Sequence, residues 1–143
     1  MWSTRTFPIV SDRLGQGLLD TSVIVDMDLL DPDQLPVEVA ISVITLAELC
    51  AGPSATTDAF ERARRQDRLQ RTEAVFDPLP FDVEAARAYG RVYAAVLEQG
   101  RKPRRRFADM LIASTALATQ LPLVTRNAGD FIGLERLLTI VEI

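Results

Sequence analysis

Residues 17–25 read GLLDTSVIV and join a short apolar run, one carboxylate and a second apolar run. The two leucines predict a buried strand that ends at Asp20. Thr21 or Ser22 then predicts the N-cap of an apolar helix. A carboxylate at the carboxyl end of a strand in an α/β protein faces the crevice where ligands bind. Asp20 is therefore a candidate site residue, although a turn or cap role explains this stretch equally well when it is taken alone.

Strands and helices alternate along the remainder of the chain. Short apolar runs predict strands at about 17–20, 37–43, 76–81, 121–125 and 138–141. Apolar residues at helical spacing predict helices at about 22–30, 45–51, 56–75, 83–99 and 105–120, with a turn and short helix over 127–137. This alternation indicates one α/β domain over 17–143, in which helices flank a parallel central sheet of about four to five strands. Residues 1–16 show no clear period and predict an N-terminal extension, a candidate for poor order.

The composition restricts the chemistry that the chain can perform. Its 143 residues suit one domain with a sizeable core. A single cysteine, Cys50, excludes an internal disulfide. The absence of histidine excludes a Ser-His-Asp triad, a His-based ribonuclease and the usual zinc sites. Any catalysis must therefore rest on carboxylates, hydroxyls, arginines and a bound metal.

Charge and hydropathy indicate where the protein works. No apolar run approaches the roughly 20 residues that span a membrane, and the N-terminus lacks the apolar block of a signal peptide, so we expect a cytoplasmic protein without a membrane partner. The net charge of −4 does not by itself indicate a nucleic-acid binder. Of the 16 cationic residues, however, only Lys102 is a lysine, and arginine is the better bidentate partner of phosphate.

Three further acids occupy positions similar to that of Asp20. Glu48 lies in the helix after the second strand, Asp109 lies on a largely apolar helix face, and Asp130 follows the strand that ends at Thr125. Taken singly, each has an ordinary explanation as a surface, helix-dipole or turn residue. Together they fall at one end of the inferred sheet. Clustered acidic oxygens bind Mg²⁺ or Mn²⁺, and such a site suits hydrolysis of a phosphodiester.

The motifs, taken in order, resemble a known family. LLDTS at 18–22, the helix of Glu48, DMLIA at 109–113 and TRNAGDF at 125–131 are similar to the motifs of PIN-domain ribonucleases. The closest resemblance is to the small toxins of the VapC type, and it covers nearly all of residues 17–143. The N-terminal extension departs from that pattern, because such toxins usually begin almost at the first strand.

The resemblance implies a site, an activity and partners. The metal-site acids, which would also be catalytic, are Asp20, Glu48, Asp109 and Asp130. The supporting polar residues are Thr21, Ser22, Thr125 and Asn127. The implied activity is that of a Mg²⁺- or Mn²⁺-dependent endoribonuclease, the toxin of a type II toxin–antitoxin pair, which cleaves single-stranded or loop RNA, often tRNA or rRNA. The implied partners are a second copy in a homodimer and a neutralising antitoxin.

Arginine-rich stretches are consistent with an RNA substrate. Phosphates need cations beside an acidic site, and a basic run stands just before the helix of Asp109. The candidate RNA-binding residues in it are Arg101, Arg104, Arg105 and Arg106. A solvated charged loop is the alternative explanation. The arginines between 62 and 71 predict a solvated helix face or a partner surface.

Three rival classes remain open at this level. A phosphoacceptor receiver domain also has an aspartate at a strand end and a Lys-Pro pair, which Lys102-Pro103 mimics, but its lysine follows a late strand. A haloacid-dehalogenase-type phosphatase needs a second aspartate at the position of Ser22. The third is a catalytically inactive PIN scaffold that binds RNA or protein, and the presence of all four acids argues against it.

Overall fold

The computed structural model describes residues 13–143. In these residues four parallel strands form one sheet, with the order β2-β1-β3-β4. The strands are β1 (Gln16–Leu19), β2 (Glu38–Ala40), β3 (Leu123–Thr125) and β4 (Ile140–Glu142). The predicted parallel α/β sheet is confirmed. The strand expected at 76–81 is reduced to one bridge between Leu79 and Ser42, because a segment with two prolines lacks the donors of a full ladder.

Within the described residues, five α-helices connect and cover the strands. They are α1 (Thr21–Val25), α2 (Val43–Ala51), α3 (Ala59–Val75), α4 (Val83–Glu98) and α5 (Phe107–Thr119). Short 3₁₀ turns lie between them, and those at Pro103–Arg106 and Ala128–Phe131 border the site described below. Asp82 caps α4 by accepting a hydrogen bond from the amide of Ala85.

The N-caps of two helices near the site differ from the sequence prediction. The N-cap of α1 is Asp20 and neither of the hydroxyl residues, because the Asp20 carboxylate accepts from the amide of Thr21. This helix also ends at Val25, and a 3₁₀ turn over Met27–Leu29 replaces the predicted continuation to residue 30. Asp26 stands at its C-terminus, where a negative charge opposes the helix dipole.

The second difference concerns α2, which begins two residues earlier than predicted. Ser42 is its N-cap, and the Ser42 hydroxyl accepts a hydrogen bond from the amide of Thr45. Thr45 is consequently inside the helix and fully buried.

The core is divided by the sheet into two apolar clusters. Leu18 belongs to the cluster under α4 and α5, with Val92 and Ile112, and Leu19 belongs to the cluster under α1, α2 and α3. Successive strand residues point to opposite faces, so one dipeptide anchors both layers. Gly17 permits the close approach of this strand, because a Cβ there would lie 2.7 Å from the ring of Pro36.

The arginine-rich face of α3 is less solvated than predicted. Arg62 donates from Nε to the carbonyl of Pro53 at 3.1 Å, and Arg65 donates from Nη1 to the carbonyl of Gly52 at 2.9 Å. These carbonyls lie just after the end of α2, where no further helical amide is available to donate to them. Two of the arginines therefore join α3 to the end of α2.

The end of the predicted extension takes part in the sheet. Arg13 donates to the carbonyl of Leu35 at 2.9 Å, and the carbonyl of Gly15 accepts from the amide of Glu38. The extension is expected to be poorly ordered over residues 1–16, of which residues 1–12 lie outside the described residues. Among residues 13–143, no helix is both long enough and apolar enough to cross a bilayer.

Candidate active site

Asp20 stands at the carboxyl end of the central strand β1 and is almost fully buried, with 4% of its surface exposed. Its Oδ1 accepts from the amide of Thr21 at 2.9 Å. Its Oδ2 accepts from the hydroxyls of Ser22 at 2.9 Å and Thr125 at 2.8 Å. Three neutral donors thus stabilise the charged carboxylate and fix its orientation.

The two hydroxyls that hold Asp20 are themselves held. The amide of Arg126 donates to Ser22 Oγ at 3.0 Å, and the amide of Asn127 donates to Thr125 Oγ1 at 3.0 Å. Since β1 and β3 are adjacent strands, the turn after β3 lies against the Asp20 carboxylate. Asn127, predicted as a supporting residue, contributes here through its backbone.

Glu48 projects from α2 as an exposed residue, yet it is linked to the strand end of Asp20. The Thr21 hydroxyl donates to Glu48 Oε1 at 2.6 Å, and Thr21 Oγ1 lies 2.9 Å from Thr45 Oγ1. Thr45 was absent from the predicted site. The sequence does contain a signal for Thr45, because it lies three residues before Glu48 and therefore on the same helix face.

Asp109 and Asp130 form the other side of the site. Asp109 lies in the first turn of α5 and is half-buried, and Asp130 lies in the 3₁₀ turn after β3. Together with Arg106 they line one small cleft, in which the Arg106 guanidinium forms an ion pair with Asp130.

Burial, together with nearby negative charge, raises the pKa of Asp109 to about 6. Desolvation is the largest cause, followed by the charges of Asp20, Asp130 and Glu48, and Arg106 opposes them. The structure therefore brings all four predicted acids near the carboxyl end of the sheet, where each charge acts on Asp109. Within residues 13–143, no three acidic or cysteine side chains converge closely enough to cage a metal ion as they stand.

The donor set fits a hard divalent cation by its chemistry. The side chains at this edge offer carboxylate and hydroxyl oxygens, which Mg²⁺ and Mn²⁺ prefer, and Mg²⁺ sites commonly use one or two carboxylates and several waters. The raised pKa of Asp109 also means that a cation there would relieve repulsion between like charges.

The four arginines predicted to bind RNA occupy two kinds of position. Arg106 is paired with Asp130, and Arg101 donates to the carbonyl of Gly129 at 3.1 Å, so both touch the turn after β3. Arg104 and Arg105 are exposed in the 3₁₀ turn before α5.

Comparison with known proteins identifies the family. The family described as "PIN domain" matches residues 17–136. Ribonuclease VapC5 of Mycobacterium tuberculosis is 40% identical over 133 residues, which cover 88% of this chain and 93% of that protein. The VapC ribonuclease Y4jK of Sinorhizobium fredii is 31% identical over 126 residues, covering 80% and 89%.

A solved structure agrees with these relatives. The crystal structure of VapBC-5 from Mycobacterium tuberculosis, a member of the VapBC family of toxin–antitoxin systems, superposes with a TM-score of 0.79 at 35% identity, covering 90% of this chain and 99% of that one. The chain belongs to the PIN-domain family, and its curated relatives within that family are VapC ribonucleases. This membership excludes the receiver and dehalogenase alternatives.

Proposed function

We propose that the chain is a Mg²⁺- or Mn²⁺-dependent endoribonuclease that hydrolyses RNA phosphodiesters at a site built from Asp20, Glu48, Asp109 and Asp130. The observation that carries the proposal is the arrangement of the acids at one edge of the sheet: Thr21 joins Asp20 to Glu48 by hydrogen bonds, and Asp109 and Asp130 line one cleft. The 40% identity to a VapC ribonuclease supports the same activity.

Each residue of the site has a distinct role in the proposed reaction. The bound cation would supply a water of lowered pKa and neutralise charge on the scissile phosphate. Asp20, held by three donors, would be the fixed ligand, and Thr21 would orient Glu48 toward the same edge. Asp109 is mostly ionised only above about pH 6, so its availability as a ligand would fall in acid.

The RNA strand would approach over the arginines before α5. The proposed contacts to the RNA backbone, which border the acidic edge, are Arg101, Arg104, Arg105 and Arg106. The expected substrates are tRNA or rRNA, cut in single-stranded or loop regions, and the expected location is the cytoplasm, where those RNAs are.

The proposal extends to partners. The structural neighbours include VapBC toxin–antitoxin complexes from Mycobacterium tuberculosis and Rickettsia felis, the latter bound to a promoter DNA fragment. We therefore propose that this chain is the toxin of a type II pair, neutralised by a cognate antitoxin, and that it acts as a homodimer.

The test is cleavage of total cellular RNA with Mn²⁺, with and without EDTA, followed by mapping of the new ends. We expect discrete cuts that require the metal and that disappear in Asp20→Asn and Asp109→Asn proteins of unchanged circular dichroism. Cleavage that persists in EDTA would contradict the proposal. RNA binding without cleavage would instead support the alternative of a catalytically inactive PIN scaffold that binds RNA.

A further inference from the structure

A groove lined by aromatic and basic side chains lies between α4 and the segment that leads into α5. This aromatic-basic groove has a volume of about 640 Å³ and is lined by Tyr89, Tyr93, Leu97 and Phe107, with the basic residues of 101–105 beside them. Tyr93 is 41% exposed and Phe107 is 54% exposed. Two neighbouring large rings that are left partly in water indicate a binding surface.

The two exposed rings are held in place from beneath. The ring centroid of the half-buried Tyr89 lies 6.0 Å from that of Tyr93 and 6.2 Å from that of Phe107, with the second pair edge to face. Aromatic pairs at such distances attract one another. Tyr89 therefore supports both rings while leaving much of their surface accessible.

The groove also carries concentrated positive charge. Four of the five residues over 101–105 are cationic, and all five of these residues line the groove. Arg101 lines both this groove and the small cleft of Asp109 and Asp130, and it donates to the carbonyl of Gly129, next to Asp130. The groove therefore borders the acidic edge.

We infer that the aromatic-basic groove binds a single-stranded segment of RNA beside the scissile phosphate, with unstacked bases on Phe107 and Tyr93 and the backbone against the arginines. The inference rests on the proposed function. Aromatic faces next to a positive groove are what single strands require, since every base can stack on a ring and every phosphate needs a cation.

Charge complementarity favours RNA over a second copy of the chain. In a two-fold contact through this groove, both copies would bury the same basic residues in one interface, and the described residues that line the groove include no acid to pair with them. Like charges brought together in this way oppose association, whereas the RNA backbone is complementary to them.

The experiment separates stacking from phosphate binding. A short fluorescent oligoribonucleotide and an abasic ribose-phosphate oligomer of equal length are bound to the full chain in EDTA, where metal-dependent cleavage is absent. The variants are Phe107→Leu and Tyr93→Leu, which keep an apolar side chain but lose the ring. Phe60→Leu, at an aromatic residue that is 76% exposed on α3, is the matched control.

We expect each groove variant to bind the base-bearing oligomer about five- to a hundred-fold more weakly per lost stacking contact, and the abasic oligomer unchanged. Arg104→Ala with Arg105→Ala should weaken binding of both oligomers and lower the log–log salt slope by about 0.7 per lost contact. Phe60→Leu should change neither.

Three outcomes would overturn the inference: equal binding of both oligomers, no difference between Phe107→Leu and Phe60→Leu, or sedimentation showing that the groove variants dissociate a dimer. Binding in EDTA is independent of cleavage. Selective loss of base binding in a chain that cuts no RNA would sustain the groove and refute the nuclease. Metal-dependent cleavage without selective base binding would refute only the groove.

Discussion

The two sides of the acidic edge are built by different forces. On the Asp20 side, a buried carboxylate is oriented by an amide and two hydroxyls, and Thr21 joins it to Glu48. On the Asp109 side, burial and charge act together, since desolvation and then the neighbouring acids raise the pKa of Asp109, and Asp130 is paired with Arg106. Short-range hydrogen bonds from neutral donors to a buried carboxylate are screened little by salt, whereas charge balance between partly exposed groups changes with pH, salt and bound cations. We therefore expect the Asp20 side to be rigid, and the Asp109 side to respond to pH, salt and bound cations.

The largest expected effect comes from breaking the rigid side. Asp20→Asn removes the one carboxylate that three donors orient, and we expect Mn²⁺-dependent RNA cleavage to fall by more than about a hundred-fold, because loss of even an outer partner of a metal site costs roughly 10- to 100-fold. The rate of cleavage of a labelled RNA is the measurement. Asp77→Asn, at an exposed acid between α3 and α4, is the control that should keep full activity. An active Asp20→Asn protein would remove Asp20 from the site.

A smaller effect should follow from releasing Glu48. Thr21→Val keeps a β-branched, half-buried side chain but removes the hydroxyl that lies 2.6 Å from Glu48 Oε1. We expect a loss of activity of roughly 10- to 100-fold with little change in melting temperature, and we expect Thr21→Ser to restore most of it. If the serine variant is as slow as the valine variant, the methyl group of Thr21 matters and its hydrogen bond does not.

The Asp109 side, which we expect to be responsive, should make the stability of the metal-free protein depend on pH. The pKa of Asp109 is raised to about 6 in the fold, so its favourable contribution is fully present below the unfolded value of about 4 and is lost as the pH rises through about 6. Near neutral pH, Asp109→Asn should therefore be more stable than the wild type by about 1–2 kcal/mol, after a discount for solvent screening. Melting in EDTA at several pH values measures this.

The pH experiment has two internal checks. The gain from Asp109→Asn should shrink toward zero near pH 4, where the wild-type carboxyl is also neutral. Mn²⁺ should stabilise the wild type more than the variant, because a ligand stabilises the form that binds it better. A variant that melts lower than the wild type in EDTA near pH 7 would mean that Asp109 is a structural hydrogen-bonding residue.

The smallest effect is expected for the ion pair of Arg106 and Asp130. Both side chains are about one-third exposed, at 35% and 36%, so Arg106→Gln should change stability by less than about 1 kcal/mol. The difference should vanish in high salt, which screens such pairs. Arg104→Gln, in the same 3₁₀ turn, is the matched control. Melting temperatures across a salt series provide the measurement, and a salt-independent loss would point to packing of the Arg106 stem.

Much of this architecture could be predicted from the chain itself. The alternation of apolar runs and helical periods predicted the parallel sheet, because those patterns report which faces are buried. The strand predicted at 76–81 is only one bridge, because prolines remove ladder donors. The end of α1 at Val25 is not visible in hydropathy, because the apolar Met27 and Leu29 continue the pattern into the 3₁₀ turn. The four acids were found by their places after strands and in helices, and their nearness is now supported through the pKa of Asp109.

The sequence by itself determined the features that neighbouring residues create: the Leu18-Leu19 strand that contributes to both core layers, the acid that follows it, and the cap that begins α4. Only the tertiary structure decided which distant groups serve each acid. Thr125 reaches Asp20 across 105 residues because β1 and β3 pair side by side, and Arg106 reaches Asp130 across 24 because α5 starts beside the turn after β3. Local hydrogen bonds follow from backbone geometry within a few residues, whereas these contacts exist only after the layers have packed.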